Sequence, residues 1–189
     1  MKQYKGYERK EQIEYMALPK GAYVLKILDV KEIENKNKTG SYLKIAFDIA
    51  EGEYKGFYKN IFDNDTREDK KWNNDGCIYM TCPTDESEQF VIDNFNKFVT
   101  AVEDSNKDYH WDWKESSLKN KLVGAKFYIE QSEYDGKIYS HTKAKWFVAA
   151  QKIRDGKYGQ LPNDKLITAS DPNNFINVPE SVDEECPFL

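Results

Sequence analysis

The chain has 189 residues, 14% of them aromatic and 32% charged, enough for one core with appendages. A mean hydropathy of −0.84 goes with the lack of any apolar run near the roughly 18 residues of a membrane helix, so no membrane partner is expected. Net charge is −5, but positions 177–189 hold Glu180, Asp183, Glu184 and Glu185 with no basic residue, which leaves a near-neutral body. That excludes nucleic-acid binding by bulk positive charge; any such binding must use local patches and stacking, for which 13 Tyr, 10 Phe and 4 Trp are available.

Residues 1–17 are polar, with Tyr4, Tyr7 and Tyr15 among lysines and glutamates, and read as an N-terminal extension. They lack an apolar signal-peptide core, so a cytoplasmic location is expected. Leu18-Pro19-Lys20-Gly21 reads as the turn into a strand over 21–30, and a polar link at 35–40 leads to a second over 41–50. There Leu43, Ile45, Phe47 and Ile49 alternate with Tyr42, Lys44, Ala46 and Asp48, the period of two of a strand with one buried face. After a link at 51–56, residues 57–62 read as a third strand of an antiparallel meander. Its register is open: either Phe57 and Ile61 or Tyr58 and Phe62 are the buried pair.

A charged loop over 63–71 and Trp72 follow, and 77–81 is one more extended piece. Asp85 with Glu88 three residues later resembles a capping box. Val91, Phe95, Phe98 and Val102, widened by Ile92 and Val99, predict an amphipathic helix ending near Asp104. This helix lies on a sheet or plugs the end of a barrel. The cluster Tyr109-His110-Trp111-Asp112-Trp113 either clamps that helix or is exposed for binding.

Residues 122–130 and 137–148 form a hairpin around Tyr134-Asp135-Gly136, since Asp-Gly favours a tight turn. In the second arm Ile138, Ser140, Thr142, Ala144, Trp146 and Val148 share one face, with Tyr139, His141, Lys143 and Lys145 opposite. From Gly156 onward Pro162, Pro172 and Pro179 punctuate a segment with little periodicity, read as linker and tail.

Cys77, Cys82 and Cys186 form no framework, and their spacing from one another and from His110 and His141 disfavours a zinc site. Buried or inert thiols are the better reading, and no cofactor is expected. Asp63, Asp65, Glu68 and Asp69 could gather magnesium for a nuclease, but they sit in a lysine-rich polar loop, where solvated charges are the default. No phosphate loop, nucleophile elbow or His-centred catalytic set is present, so no enzyme activity is expected.

Three strands, a connection with a helix, then two strands is the element order of the oligonucleotide-binding (OB) barrel, although other small mixed folds share it. The expected architecture is mainly β: a five-stranded antiparallel OB-type barrel over 18–155 with a helix between strands 3 and 4, then a linker and acidic tail over 156–189. Such barrels bind oligonucleotides on the outer face of strands 2 and 3. The stacking candidates there are Tyr42, Tyr54, Phe57, Tyr58 and Trp72, and the phosphate candidates are Lys44, Lys55, Lys59, Arg67, Lys70 and Lys71. Tyr139, Lys143 and Lys145 extend the path.

The run from Leu18 to Ile27, the stretch Tyr42 to Tyr58, the loop Asp65 to Trp72 and Lys119-Asn120-Lys121-Leu122-Val123-Gly124 together resemble phage-type single-stranded-DNA-binding proteins of OB fold. The resemblance covers roughly 18–155 and implies sequence-tolerant binding of single-stranded DNA in replication or recombination, without catalysis. Separately, Val182-Asp183-Glu184-Glu185-Cys186-Pro187-Phe188-Leu189 is similar to the acidic tip of bacterial single-stranded-DNA-binding proteins. That likeness implies docking on replication or recombination enzymes, with Phe188 after Pro187 as the apolar anchor and Asp183, Glu184 and Glu185 as an electrostatic guide. Leu189 departs from the pattern by placing the terminal carboxylate one residue beyond Phe188. The alternative is a protein–protein adaptor on the same scaffold, and self-association is left open.

Overall fold

The computed structural model describes residues 17–37 and 40–167. Its strands are β1 (Ala22–Glu34), β2 (Ser41–Ile49), β3 (Cys77–Thr81), β4 (Leu122–Tyr134) and β5 (Lys137–Val148), with helices α1 (Phe57–Asn64), α2 (Gln89–Ser105) and α3 (Ala150–Arg154). All pairings are antiparallel, in the order β3-β2-β1-β4-β5. β1 is long enough to serve two partners: residues 22–26 pair with β4, and residues 25–34 with β2. A bulge between Ile27 and Asp29 resets its parity, so Leu25, Ile27 and Val30 all face the core despite uneven spacing.

The alternation read in β2 is observed over its first half, where Leu43 and Ile45 are buried and Tyr42 and Lys44 opposite are half-buried. Beyond Ile45 both faces are covered, and Ala46 and Asp48 are buried along with Phe47 and Ile49. Residues 57–62 are a correction, because they form α1 rather than a third strand. The deciding group is distant in sequence. The buried Asp48 carboxylate accepts from the backbone N–H of Ile49 (2.9 Å), Tyr58 (3.0 Å) and Lys59 (3.3 Å), capping a helix whose own N-cap, Gly56, has no side chain. The register question therefore dissolves: Tyr58 is 1% exposed and Phe62 is buried, with Phe57 and Ile61 packed beside them.

The third strand is instead the short piece at 77–81, with Ile78 and Met80 inward and Tyr79 outward. α2 begins at Gln89, and its N-cap Glu88 makes no side-chain cap bond, so the expected capping box at Asp85 does not form. Phe95, Phe98, Ala101 and Val102 supply its buried stripe.

The hairpin turn is as expected: Asp135 (φ 51°) and Gly136 (φ 70°) take the left-handed pair of a type I′ turn. Farther along, Lys126 pairs with Trp146 but Phe127 pairs with Ala144, so Lys145 is an extra residue and the parity of β5 flips there. Trp146, expected to share a face with Thr142 and Ala144, points outward and is 44% exposed. Phe147 turns inward instead, its ring 5.0 Å from that of Phe98 at 79°. Gly124 of β4 lets α3 close in, since a Cβ there would lie 2.7 Å from Ile153 Cγ1 and 2.8 Å from the Val148 carbonyl oxygen.

β3 and β5 are the two edges of the sheet and do not pair, so it is not a closed barrel. One core nevertheless runs through it, joining Phe47, Ile78, Phe95, Phe98 and Phe127 from β2, β3, α2 and β4. α2 contacts β3, β4 and β5, bridging the two edges. Residues 157–167 lie along β4: Lys165 N donates to Ile129 O and Gln131 N to Lys165 O, each at 2.9 Å. Asp164 accepts from Ile129 N at 2.9 Å and pairs with Lys20 at 2.9 Å. No helix among the described residues is long and apolar enough to cross a membrane.

Candidate nucleic-acid interface

Because β3 and β5 are unpaired edges with the start of α2 between them, a groove of about 590 Å³ runs across the opening. Its walls include Tyr79 of β3, Phe90 and Lys97 of α2, Lys126 and Tyr128 of β4, and Lys143, Lys145 and Trp146 of β5. Tyr79 is 44%, Phe90 61% and Trp146 44% exposed, so three aromatic rings reach solvent beside lysines.

The groove continues onto the outer face of β2. The Tyr42 ring centre lies 6.0 Å from that of Tyr79, and Lys44 Nζ lies 5.8 Å from the Tyr79 ring. Exposed π-faces flanked by ammonium groups are what a sequence-tolerant single-strand binder needs, because every base has a face to stack and every linkage a charge to meet.

Several of these side chains are preset. Lys126 is buried, with Nζ donating to the carbonyls of Tyr158 (2.7 Å) and Gln160 (3.0 Å) while lying 5.2 Å from the Trp146 ring centre. Lys145 Nζ sits 5.2 Å from the Tyr128 ring and 5.8 Å from that of Trp146. Lys143 pairs with Glu130 at 2.8 Å. Burial pushes the Tyr128 hydroxyl above its ordinary range, and the Glu130 charge pushes the same way.

The residues expected from sequence divide. Tyr42, Lys44, Lys143 and Lys145 belong to the groove or its extension, and Tyr139 is exposed on β5 beyond the groove lining. Tyr54, Phe57 and Tyr58 instead pack among themselves and against Tyr23 and Phe47, with ring separations of 5.1–6.3 Å. Tyr58 thus presents no face to a ligand.

Trp72 donates Nε1–H to Gly76 O at 3.1 Å and lies 5.8 Å from Phe62. Lys70 Nζ covers the Phe62 ring at 4.5 Å. Lys59 pairs with Asp63 at 2.8 Å. Arg67 grips Asp65 with Nε–H and a terminal N–H, and that contact holds the Asp65 carboxyl down at about 2. Lys55 and Lys71 are exposed in the loops flanking α1.

Tyr79, Phe90, Trp146, Lys97 and Lys126 escaped the sequence reading. Tyr79 was findable from the alternation of Ile78 and Met80, once 77–81 is taken as the third strand. Trp146 was not, because only the pairing with β4 reveals the bulge. In the connection after α2, Tyr109 is buried and Trp111 packed, whereas Trp113 is 76% exposed over Phe95. Among the described residues no group of three or more His, Cys, Asp or Glu is placed to hold a metal ion. The chain matches no protein-family model and no curated protein.

Proposed function

We propose that this chain is a sequence-tolerant, non-catalytic single-stranded-DNA-binding protein on an OB-type scaffold, acting in phage DNA replication or recombination. The observation that carries the reading is the groove between β3 and β5, where Tyr79, Phe90 and Trp146 are exposed beside Lys97, Lys143 and Lys145. The fold is compatible with it: a β1 shared by two partners and a helix between β3 and β4 suit the partly open five-stranded barrel of OB proteins. The sequence resemblance described above points the same way. In this reading the acidic tip, with Asp183, Glu184, Glu185, Pro187 and Phe188, recruits replication or recombination proteins; it lies outside the described residues.

The test is titration with a poly-thymidine oligonucleotide, followed by Trp fluorescence at several salt concentrations. Trp146→Ala and Tyr79→Ala should each weaken binding by about 1–3 kcal/mol, the range for loss of one stacking ring. With a near-neutral body the slope of log affinity against log salt should be shallow, about 2–3 for three or four phosphate contacts. Equal affinity for duplex and single strand, or no binding at low salt, overturns the reading. A folded protein that ignores oligonucleotides yet captures a defined protein partner favours the adaptor alternative.

A further inference from the structure

Glu130 gathers lysines from two segments far apart in sequence. Its carboxylate accepts from Lys143 Nζ of β5 at 2.8 Å, from Lys165 Nζ of the 157–167 segment at 2.9 Å and from the Tyr128 hydroxyl at 3.1 Å. Lys145 and Lys165 place their ammonium groups 5.2 and 5.6 Å from the Tyr128 ring centre. Two ammonium groups thus hold one carboxylate and a third lies over the neighbouring Tyr128 ring, a local excess of positive charge. The carboxylate is buried at 9% exposure, whereas the Lys143 and Lys165 side chains are 40% and 56% exposed. Burial alone would raise the Glu130 pKa, but the bonds and charges of Lys143 and Lys165 outweigh it and hold it at about 2. Glu130 is therefore a fixed anion beneath a more positive, solvent-facing layer.

We propose that Lys143, Lys145 and Lys165 form a phosphate-binding subsite on the outer face of β4 and β5, which makes the 157–167 segment part of the nucleic-acid path. The ligand chemistry is a phosphate oxyanion, and its assignment to a DNA backbone rests on the function proposed above. Lysines suit this task as mobile point charges that follow a backbone without fixing its register. Lys145 also lies beside Trp146, so a base stacked on that ring would bring its phosphate to the subsite. The Lys165 ammonium is not needed to dock its segment, because the backbone bonds to Ile129 and Gln131 and the Asp164 contacts already do so. Glu130 sets the strength of the subsite by competing with phosphate for Lys143 and Lys165.

The full chain and its Lys165→Met, Lys165→Arg and Glu130→Gln variants are titrated with a poly-thymidine oligonucleotide across a salt series. Lys165→Met should weaken binding roughly fivefold at low salt and lower the salt slope by about 0.7, the contribution of one single-strand phosphate contact. Lys165→Arg should retain binding. Glu130→Gln should strengthen it, whereas a merely structural Glu130 would give weaker binding. In a second arm, sodium tripolyphosphate should protect Lys145 and Lys165 from acetylation, read by mass spectrometry, more than the exposed Lys55.

If the wild type ignores the oligonucleotide but tripolyphosphate protects these lysines, the DNA reading fails and the phosphate subsite stands. If the oligonucleotide binds, Lys165→Met binds like wild type and no protection is seen, the subsite is overturned and the groove reading stands.

Discussion

His141 Nδ1 lies 3.0 Å from Asp75 Oδ2, and the contact spans the two edges of the open sheet. His141 belongs to β5, while Asp75 sits in the short 3-10 turn Asn74–Gly76 that leads into β3. The pair fastens one end of the gap that becomes the groove. Asp75→Ala should cost about 0.5–1 kcal/mol of stability, as expected for a half-buried hydrogen bond. It should also speed amide exchange in residues 77–81 and weaken oligonucleotide binding. Unchanged exchange in β3 would show that α2 alone holds the edges.

Asp48 is the side chain on which α1 depends. Asp48→Ala leaves the N–H groups of Ile49, Tyr58 and Lys59 without this acceptor and should destabilise the protein by about 1.5–3 kcal/mol. Burial raises the Asp48 pKa above its ordinary 3.8, and the three backbone bonds only partly oppose it. The folded protein thus holds this proton more tightly than the unfolded chain, and the contribution falls as pH rises from 3.8 through the raised value. Denaturant midpoints from pH 3 to pH 7 should show Asp48→Asn gaining on wild type as pH rises. A difference that shrinks instead would contradict the burial argument.

Gly124→Ala tests the fit of α3 against β4. The added methyl would meet the Val148 and Ala149 carbonyl oxygens at 2.8 and 3.1 Å, and backbone cannot step aside as a side-chain tip can. A loss of about 1–3 kcal/mol is expected, measured as a lower Tm. An unchanged Tm would mean that α3 shifts freely on the sheet.

The acidic tail offers a test of electrostatic competition within the proposed function. Glu180, Asp183, Glu184 and Glu185 are opposite in charge to the groove lysines and compete with phosphate wherever they can reach them. Deleting residues 178–189 should tighten oligonucleotide binding at low salt, with less effect above 0.1 M, where the Debye length falls to about 10 Å. Phe188→Ala should abolish capture of a purified replication or recombination partner. If both DNA affinity and partner capture survive the deletion, the tail is a solubilising appendage.

Where structure depends on local periodicity, the amino-acid sequence alone determined the outcome. The alternation of Tyr42 and Lys44 with Leu43 and Ile45 in β2, the Asp135-Gly136 turn and the stripe Phe95, Phe98 and Val102 are each written within one element, because side-chain direction repeats every two or 3.6 residues. The strand–helix–strand order was legible too, once Tyr79 replaces the residues of 57–62 in the third strand.

Tertiary structure decided what local periodicity cannot carry. Phe57–Asn64 is a helix because a carboxylate 10 residues before Tyr58 caps it. Trp146 faces outward because its partner strand leaves Lys145 as an extra residue, and one inserted residue reverses every side chain beyond it. The groove exists because sheet order places β3 and β5 at opposite edges while α2 holds them near one core. Lys165 meets Glu130 only because backbone bonds lay its segment along β4, a pairing of residues 35 apart that no spacing rule encodes.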